Sequence, residues 1–213
     1  KKEKQVLESK LFHSYDIIGE SQSIEKVKSL ITKLSSTESR VFISGPAGSG
    51  KELVARQIHK QSTRSSKPFV VVNGALLDPE KYELELFGSE NANETTSYGF
   101  LEKAKDGTLL IDEVTEIPLE TQAKILRVLI DQKFRRLNSS SEINVNVRII
   151  STSSKNIREE VDKGNFREDL YHRLNVVPIF LPPLKDRTED IPYLLNYFSE
   201  KIAELNGISK IKL

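Results

Sequence analysis

The sequence predicts an α/β domain built on a parallel sheet with helices over both faces, and three observations carry that prediction. Short β-branched runs alternate with helical patterns along the chain. The runs are apolar throughout instead of alternating with polar residues, as strands buried on both faces are. A glycine-rich turn joins one run to the helical pattern after it, and open α/β sheets bind ligands there, at the carboxyl ends of their strands.

In chain order, Ile24–Leu34 reads as a helix, Val41–Ser44 as a strand, Lys51–Gln61 as a helix and Phe69–Asn73 as a strand. Pro79–Leu86 reads as a helix, Thr108–Asp112 as a strand and Leu119–Asp131 as a helix. Val145–Ser151 and Val176–Leu181 complete the strands, with a short helix at Glu159–Lys163 between them. The polar patches Ser35–Arg40, Ser62–Lys67 and Asn138–Glu142 read as loops. Two prolines, Pro182 and Pro183, stop any strand, and Thr188–Pro192 has helix-start chemistry, so a subdomain boundary falls here. Ile191, Leu194, Leu195, Phe198, Ile202 and Leu205 then form one helical stripe, read as a packing face, that Asn206-Gly207 ends with a left-handed cap.

With 213 residues the chain can bury one good core, or one domain with a small appendage. Charged residues make up 30% but leave a net charge of only +1, so no single-sign field draws nucleic acid or a membrane. Cysteine is absent and the three histidines (His13, His59, His172) have no ligand spacing, which argues against disulfides and a zinc site and for a cytoplasmic setting. No apolar stretch is long enough to span a bilayer, and nothing near Lys1 resembles a signal peptide. The chain has no methionine even at position 1, and so reads as a piece of a longer protein.

Gly45-Pro46-Ala47-Gly48-Ser49-Gly50-Lys51 has the spacing of a P-loop. Glycines let consecutive backbone N–H groups turn inward around phosphate oxygens, the lysine reaches the terminal phosphates, and the following helix adds its positive end. Glu52 departs from the general motif, where a serine or threonine hydroxyl meets magnesium, so the metal needs another anchor. Thr108–Asp112 followed by Glu113 offers one: Asp112 at the sheet's carboxyl edge can hold the water shell of the metal, while Glu113 polarises the attacking water. On the residues alone, two solvated acids capping a strand are the competing reading.

Several motifs in order resemble the central ATPase domain of bacterial enhancer-binding activators, the AAA+ response regulators that drive sigma-54 RNA polymerase. They are Gly45–Glu52, Glu85-Leu86-Phe87-Gly88, Leu109–Val114, Gln122–Leu129 and Phe166–Asn175, and the likeness runs from about Ile17 to Pro192 and beyond. The resemblance implies an AAA+ P-loop NTPase fold over residues 15–183, the start of a helical lid at 184–213, and a linker helix from a receiver domain at 1–14. It implies ATP and Mg2+, and it makes Glu52 an ordinary family residue. Ile17, Ile18 and Gly19 match positions that line the adenine pocket, and Asn73 matches the asparagine that restrains the catalytic glutamate. Ser153 or Ser154 holds the sensor position. Arg167 and Arg173 match arginine fingers that enter a neighbour's site, which implies self-association as a dimer or ring. Without the resemblance, both arginines read as surface ion pairs on a helix.

One family part is missing. Between Gly88 and Gly99 the family carries a loop with Gly-Ala-Phe-Thr-Gly-Ala that contacts sigma-54, whereas this chain has the shorter, polar and acidic Ser89–Tyr98. The expectation is therefore an ATP-binding, magnesium-dependent ATPase domain of a two-component regulator whose output is not sigma-54 remodelling, with contact to RNA polymerase left open. Sensor kinase and promoter DNA would be met through domains outside this chain. The alternative is a decayed AAA+ scaffold that serves as a nucleotide-responsive dimerisation and signal-relay module.

Overall fold

The computed structural model describes residues 16–90 and 96–209. The linker reading at 1–14 and the tip of the polar loop at 91–95 lie outside the described residues.

The strands are β1 (Val41–Ser44), β2 (Phe69–Asn73), β3 (Gly88–Glu90), β4 (Thr96–Tyr98), β5 (Thr108–Asp112), β6 (Lys133–Arg135), β7 (Glu142–Asn144), β8 (Arg148–Ser153) and β9 (Val177–Phe180). The helices are α1 (Gln22–Ser35), α2 (Lys51–Lys60), α3 (Tyr82–Phe87), α4 (Phe100–Lys103), α5 (Leu119–Asp131), α6 (Ile157–Asp162), α7 (Glu168–Leu174) and α8 (Ile191–Asn206). β2, β5, β8, β1 and β9 lie side by side in that order as one parallel sheet.

Strand residues alternate between two cores because successive side chains point to opposite faces. Val41, Ile43, Leu110, Ile150 and Ile179 pack with Ile24, Val27 and Ile31 of α1 and with Val54 and Ile58 of α2. Phe42, Leu109, Ile111 and Ile149 pack on the other face with Leu86 of α3, Ile125 and Leu129 of α5, and Leu170 and Leu174 of α7. β8, central in the sheet, is buried along its whole length. The register sets Ile43 of β1 beside Thr152 of β8, and Asn73 of β2 beside Asp112 of β5. The glycine-rich turn and both acidic residues thereby arrive at one edge of the sheet.

Several expectations shift. Pro79–Leu86 divides into a 3-10 turn at Pro79–Lys81, capped by the Asp78 carboxylate on Glu80 N, and the helix α3. The fourth sheet strand is Arg148–Ser153, not Val145–Ser151, because the Val145 N–H bonds to Gln132 O instead of to a neighbouring strand of the sheet. Glu142, assigned to a loop, starts β7. The hairpins β3–β4 and β6–β7 were not read from sequence, since three-residue strands of mixed polarity carry no apolar run. They are bound together by Leu137 N–H to Gly88 O (2.9 Å) and Glu90 N–H to Leu137 O (3.0 Å), with the Arg136 fork on Glu102.

The stripe on α8 is a correction of another kind. Leu195, Phe198 and Ile202 are about half exposed, at 50%, 52% and 49%, and the helix buries Ser199 and Ala203 instead. Small side chains permit the close approach, and Leu194, Phe198 and Ile202 of the stripe are left lining a cavity. The left-handed cap at Gly207 is present, with φ of 62°.

Candidate nucleotide site

The loop Gly45–Gly50 leaves β1 and enters α2 through backbone that only glycine adopts freely: φ is 155° at Gly45, 74° at Gly48 and 102° at Gly50. A Cβ on Gly45 would lie 2.4 Å from Leu181 O, whereas one on Gly48 or Gly50 would meet nothing within 4 Å. The loop is thus packed at its root and open over its crown, as a phosphate cradle must be. Gly45 N–H donates to Ser153 O (3.3 Å), tying the root to the end of β8.

Lys51 is 6% exposed and bends back over this loop, donating to Gly45 O (2.9 Å) and Pro46 O (3.2 Å). Its ammonium also lies 3.3 Å from Glu113 Oε1. Glu52 turns outward to pair with Arg56 and sits on the rim of a cavity, described below, with Ser49 and Gly50.

Asp112 ends β5 and is held from two sides. Thr152 donates its hydroxyl to Asp112 Oδ1 (2.6 Å), and Asn73 Nδ2 donates to Oδ2 (2.8 Å). The asparagine therefore reaches the aspartate and not the glutamate that the resemblance implied. Register explains this, because Asn73 stands directly beside Asp112. Glu113 instead turns at a left-handed backbone, φ 52° and ψ 55°, which is costly for a residue with a Cβ. Its N–H is secured by Thr152 Oγ1 (3.0 Å).

The Glu113 carboxylate accepts from both Ser154 N–H and Ser154 Oγ at 2.8 Å. Burial pushes its pKa up, but the two Ser154 bonds and the Lys51 charge outweigh this and hold it below the usual carboxylate range. Between the two sensor candidates the geometry separates the roles. Ser153 is fully buried and its hydroxyl contacts Thr115 Oγ1 (3.1 Å) and Lys155 O (2.9 Å), so Ser154 is the one at the glutamate. Thr152, which orients both acids, was missed in the sequence, where it passed as one more polar residue at a strand end.

On the other side of the loop lies a cavity of about 910 Å³ lined by Ile17, Ile18, Leu53, Leu194, Phe198 and Ile202, among others, with Gly48 and Gly50 on its border. An apolar slot of this size beside a phosphate cradle suits a planar base. Gly19, expected to line this pocket, is not among the residues that do; its carbonyl accepts from Lys28 Nζ (2.7 Å). Arg187 and the α8 residues on this wall carried no sequence signal for it.

Arg167 and Arg173 are not brought to this cluster. Arg167 forks onto its near neighbour Asp169 at 3.0 and 2.7 Å, an ion pair of the kind the residues alone suggest, and Arg173 is exposed on α7. Gln122, buried on α5, places this segment by accepting from Arg167 N–H (2.9 Å) and donating to Asn165 O (3.0 Å).

Among the described residues no cluster of three His, Cys, Asp or Glu side chains could hold a metal. One oriented carboxylate, Asp112, fits a magnesium ion whose other ligands are waters and phosphate oxygens. No helix of the described residues is long and apolar enough to cross a membrane.

The sigma-54 interaction domain family model matches residues 17–180. The nitrogen assimilation regulatory protein NtrX of Azorhizobium caulinodans is 46% identical over 204 residues, covering 95% of this chain and 45% of that protein. A crystal structure of NtrX from Brucella abortus in complex with ADP superposes with a TM-score of 0.90 at 44% identity, covering 99% of this chain and 48% of the other. The same protein in complex with ATP gives 0.88 at 47% identity, covering 93% and 44%. The chain thus spans a little under half the length of these relatives. With an AAA+ P-loop NTPase fold and a family match over most of its length, the chain belongs to the sigma-54 interaction domain family.

Proposed function

We propose that this domain binds ATP with magnesium and hydrolyses it when assembled with further copies, as the central part of a two-component, DNA-binding transcription regulator in the cytoplasm. The observation that carries the reading is the cluster in which Lys51, Asp112, Glu113 and Ser154 converge at the mouth of an open glycine loop. The ADP and ATP complexes of the Brucella relative support nucleotide as the ligand.

In this reading the loop N–H groups and Lys51 hold the phosphates, and Ile17 and Ile18 face the base. Lys51 has to leave the Gly45 and Pro46 carbonyls, and in doing so frees Glu113 Oε1. Glu113, once released by Ser154, takes the proton of an attacking water. Asp112, fixed by Thr152 and Asn73, holds the water shell of the magnesium ion. The metal, when bound, supplies charge neutralisation on the phosphates. Arg167 and Arg173, being remote from the chain's own cluster, serve a neighbouring copy.

The segment Ser89–Tyr98 supports an output other than sigma-54 remodelling. Its sequence is polar and acidic, with no glycines around an apolar tip, and its described part pairs as the short hairpin β3–β4. ATP would instead set the assembly state, and through it how attached DNA-binding domains engage promoters.

Lys51→Ala in the full-length protein should abolish ATP binding in a fluorescent-nucleotide titration, and wild-type affinity after that change would refute the cradle. Phosphate release from the concentrated wild-type protein tests the rest. Binding without release at any concentration favours the scaffold reading.

A further inference from the structure

Arg187 and Asp190 lie just before α8, and nothing in the mechanism above uses them. Both are buried, at 8% and 0% exposure. Asp190 is saturated by the segment that opens the domain: Oδ1 accepts from Glu20 N–H (2.7 Å) and Ser21 N–H (2.8 Å), and Oδ2 from the Ser21 hydroxyl (2.7 Å). The fit leaves no room at Gly19, where a Cβ would lie 2.5 Å from the Asp190 carboxyl carbon and φ is 133°. Burial raises the Asp190 pKa, but the bonds from Ser21 and Glu20 and the Arg187 charge outweigh it, and the group stays ionised.

Arg187 carries this anchor to the phosphate loop. Its Nη1 lies 3.7 Å from Asp190 Oδ2, and its Nη2 donates to Ser49 O (3.1 Å). The Ser49–Gly50 peptide bond is trans, as are all peptide bonds among the described residues, so the C=O of Ser49 and the N–H of Gly50 point in opposite directions. Fixing the carbonyl outward on Arg187 fixes the Gly50 N–H away from it. Gly50 is the left-handed residue that caps α2, so this N–H belongs to the crown of the cradle. Two further polar atoms here, Arg187 Nε and Ser49 Oγ, are buried without a hydrogen-bond partner. Buried donors left unpaired are costly and uncommon, and these lie beside the cavity that Arg187 and Ser49 both line.

We propose that Arg187 is a positioning residue for the β-phosphate end of the nucleotide: anchored on Asp190, it holds the Ser49–Gly50 peptide in the orientation that the phosphates require. The proposal rests on the nucleotide-binding reading above and assigns no chemistry to Arg187 itself. It places the grip on phosphate partly in the segment that starts the α8 region, so a shift of that helix loosens the loop.

The test is the affinity of the full-length protein for AMP and for ADP, in the wild type, Arg187→Met and Arg187→Lys. Methionine retains an apolar stem of similar reach, and the melting midpoint of each nucleotide-free variant reports whether it folds. In Arg187→Met the affinity gained from AMP to ADP should shrink about tenfold, over and above any loss that both nucleotides share through the cavity wall that Arg187 also lines. Arg187→Lys, which keeps one donor but not the fork, should fall between, and it carries the test if the methionine variant does not fold. A full AMP-to-ADP gain in a folded variant, or an equal loss for both nucleotides, overturns the proposal. If the wild type binds neither nucleotide, the nucleotide-binding reading fails first, and this inference with it.

Discussion

Glu113 is held in three ways at once: by a left-handed backbone, by two bonds from Ser154 and by the Lys51 ammonium at 3.3 Å. A carboxylate so engaged is charged but not free, which is the state expected of a base that waits for its substrate. Because its folded pKa is depressed, the interaction favours the native state at neutral pH and is lost as pH falls through the folded value. Ser154→Ala removes the hydroxyl donor and leaves the N–H, so the Glu113 pKa should rise. The acid limb of kcat/KM for ATP hydrolysis should then move up by roughly half a unit to one unit, and an unmoved limb would show that Glu113 is not the titrating base. Thr152 acts on both acids at once. Thr152→Val should lower turnover by about 10- to 100-fold while leaving ADP affinity nearly unchanged, as loss of an orienting partner does; a matching fall in ADP affinity would make Thr152 a part of the binding site instead. The placement of Lys51 and Asp112 is legible in spacing because glycines and acidic strand ends mark it. That of Thr152 is not, since it depends on β8 lying between β1 and β5, an order that no local pattern states.

At the scale of elements, α2 is held at both ends. Lys51 fixes its start to the glycine loop, and His59, near its end, meets the first residue of β5 through Nδ1 and Thr108 Oγ1 (2.9 Å). His59 is 8% exposed, with the Phe69 ring at 5.1 Å. Burial lowers its pKa, a backbone bond to Lys67 opposes this, and the charges of Arg148 and Arg56 lower it further. The unfolded chain therefore takes up this proton before the folded one does, and stability present above about pH 6.5 is lost as pH falls toward the folded value. The thermal midpoint of His59→Asn should fall less between pH 7.5 and pH 5.5 than that of the wild type. Equal slopes would remove His59 from the acid response. This helix and the sheet strands were legible because their apolar runs are long or strictly placed: Val41–Ser44, Phe69–Asn73 and Thr108–Asp112 are found at the residues read from sequence. The hairpins were not, because strands of three residues are too short to show a period, and β3 is tied to Leu137, a partner distant in sequence. The helical period of α8 was also legible, but period alone cannot tell a stripe that packs in a core from one that lines a cavity.

At the scale of the whole molecule, the proposed ATPase reading asks for more positive charge on the phosphates than the chain's own site brings together. Lys51 is the cation at the loop mouth and Arg187 holds the Ser49 carbonyl, while Arg167 and Arg173 stand elsewhere, just before and on α7. That helix is attached firmly: Leu170 and Leu174 are fully buried, Gln122 braces its start, and Arg40 donates to Arg173 O (3.4 Å) and to Leu129 O (2.8 Å) at the ends of α7 and α5. A rigid mount for exposed arginines suits delivery to a second copy better than motion toward the chain's own loop. The Arg167 fork on Asp169 does not oppose this, because an exposed pair of this kind is exchanged for another anion at little cost. Arg167→Ala and Arg173→Ala in the full-length protein should thus bind ATP within about twofold of wild type and hydrolyse it roughly a thousandfold more slowly. Mixing makes the test specific. Lys51→Ala has an empty cradle but intact arginines, and Arg167→Ala has an intact cradle but lacks one arginine. Each alone should be inactive, and together they should regain activity as mixed assemblies form, in proportion to the junctions where an intact cradle faces an intact arginine. If Arg167→Ala and Arg173→Ala both hydrolyse ATP at the wild-type rate per subunit, independent of protein concentration, the arginines are the surface ion pairs that their local sequence suggests, and the domain works alone.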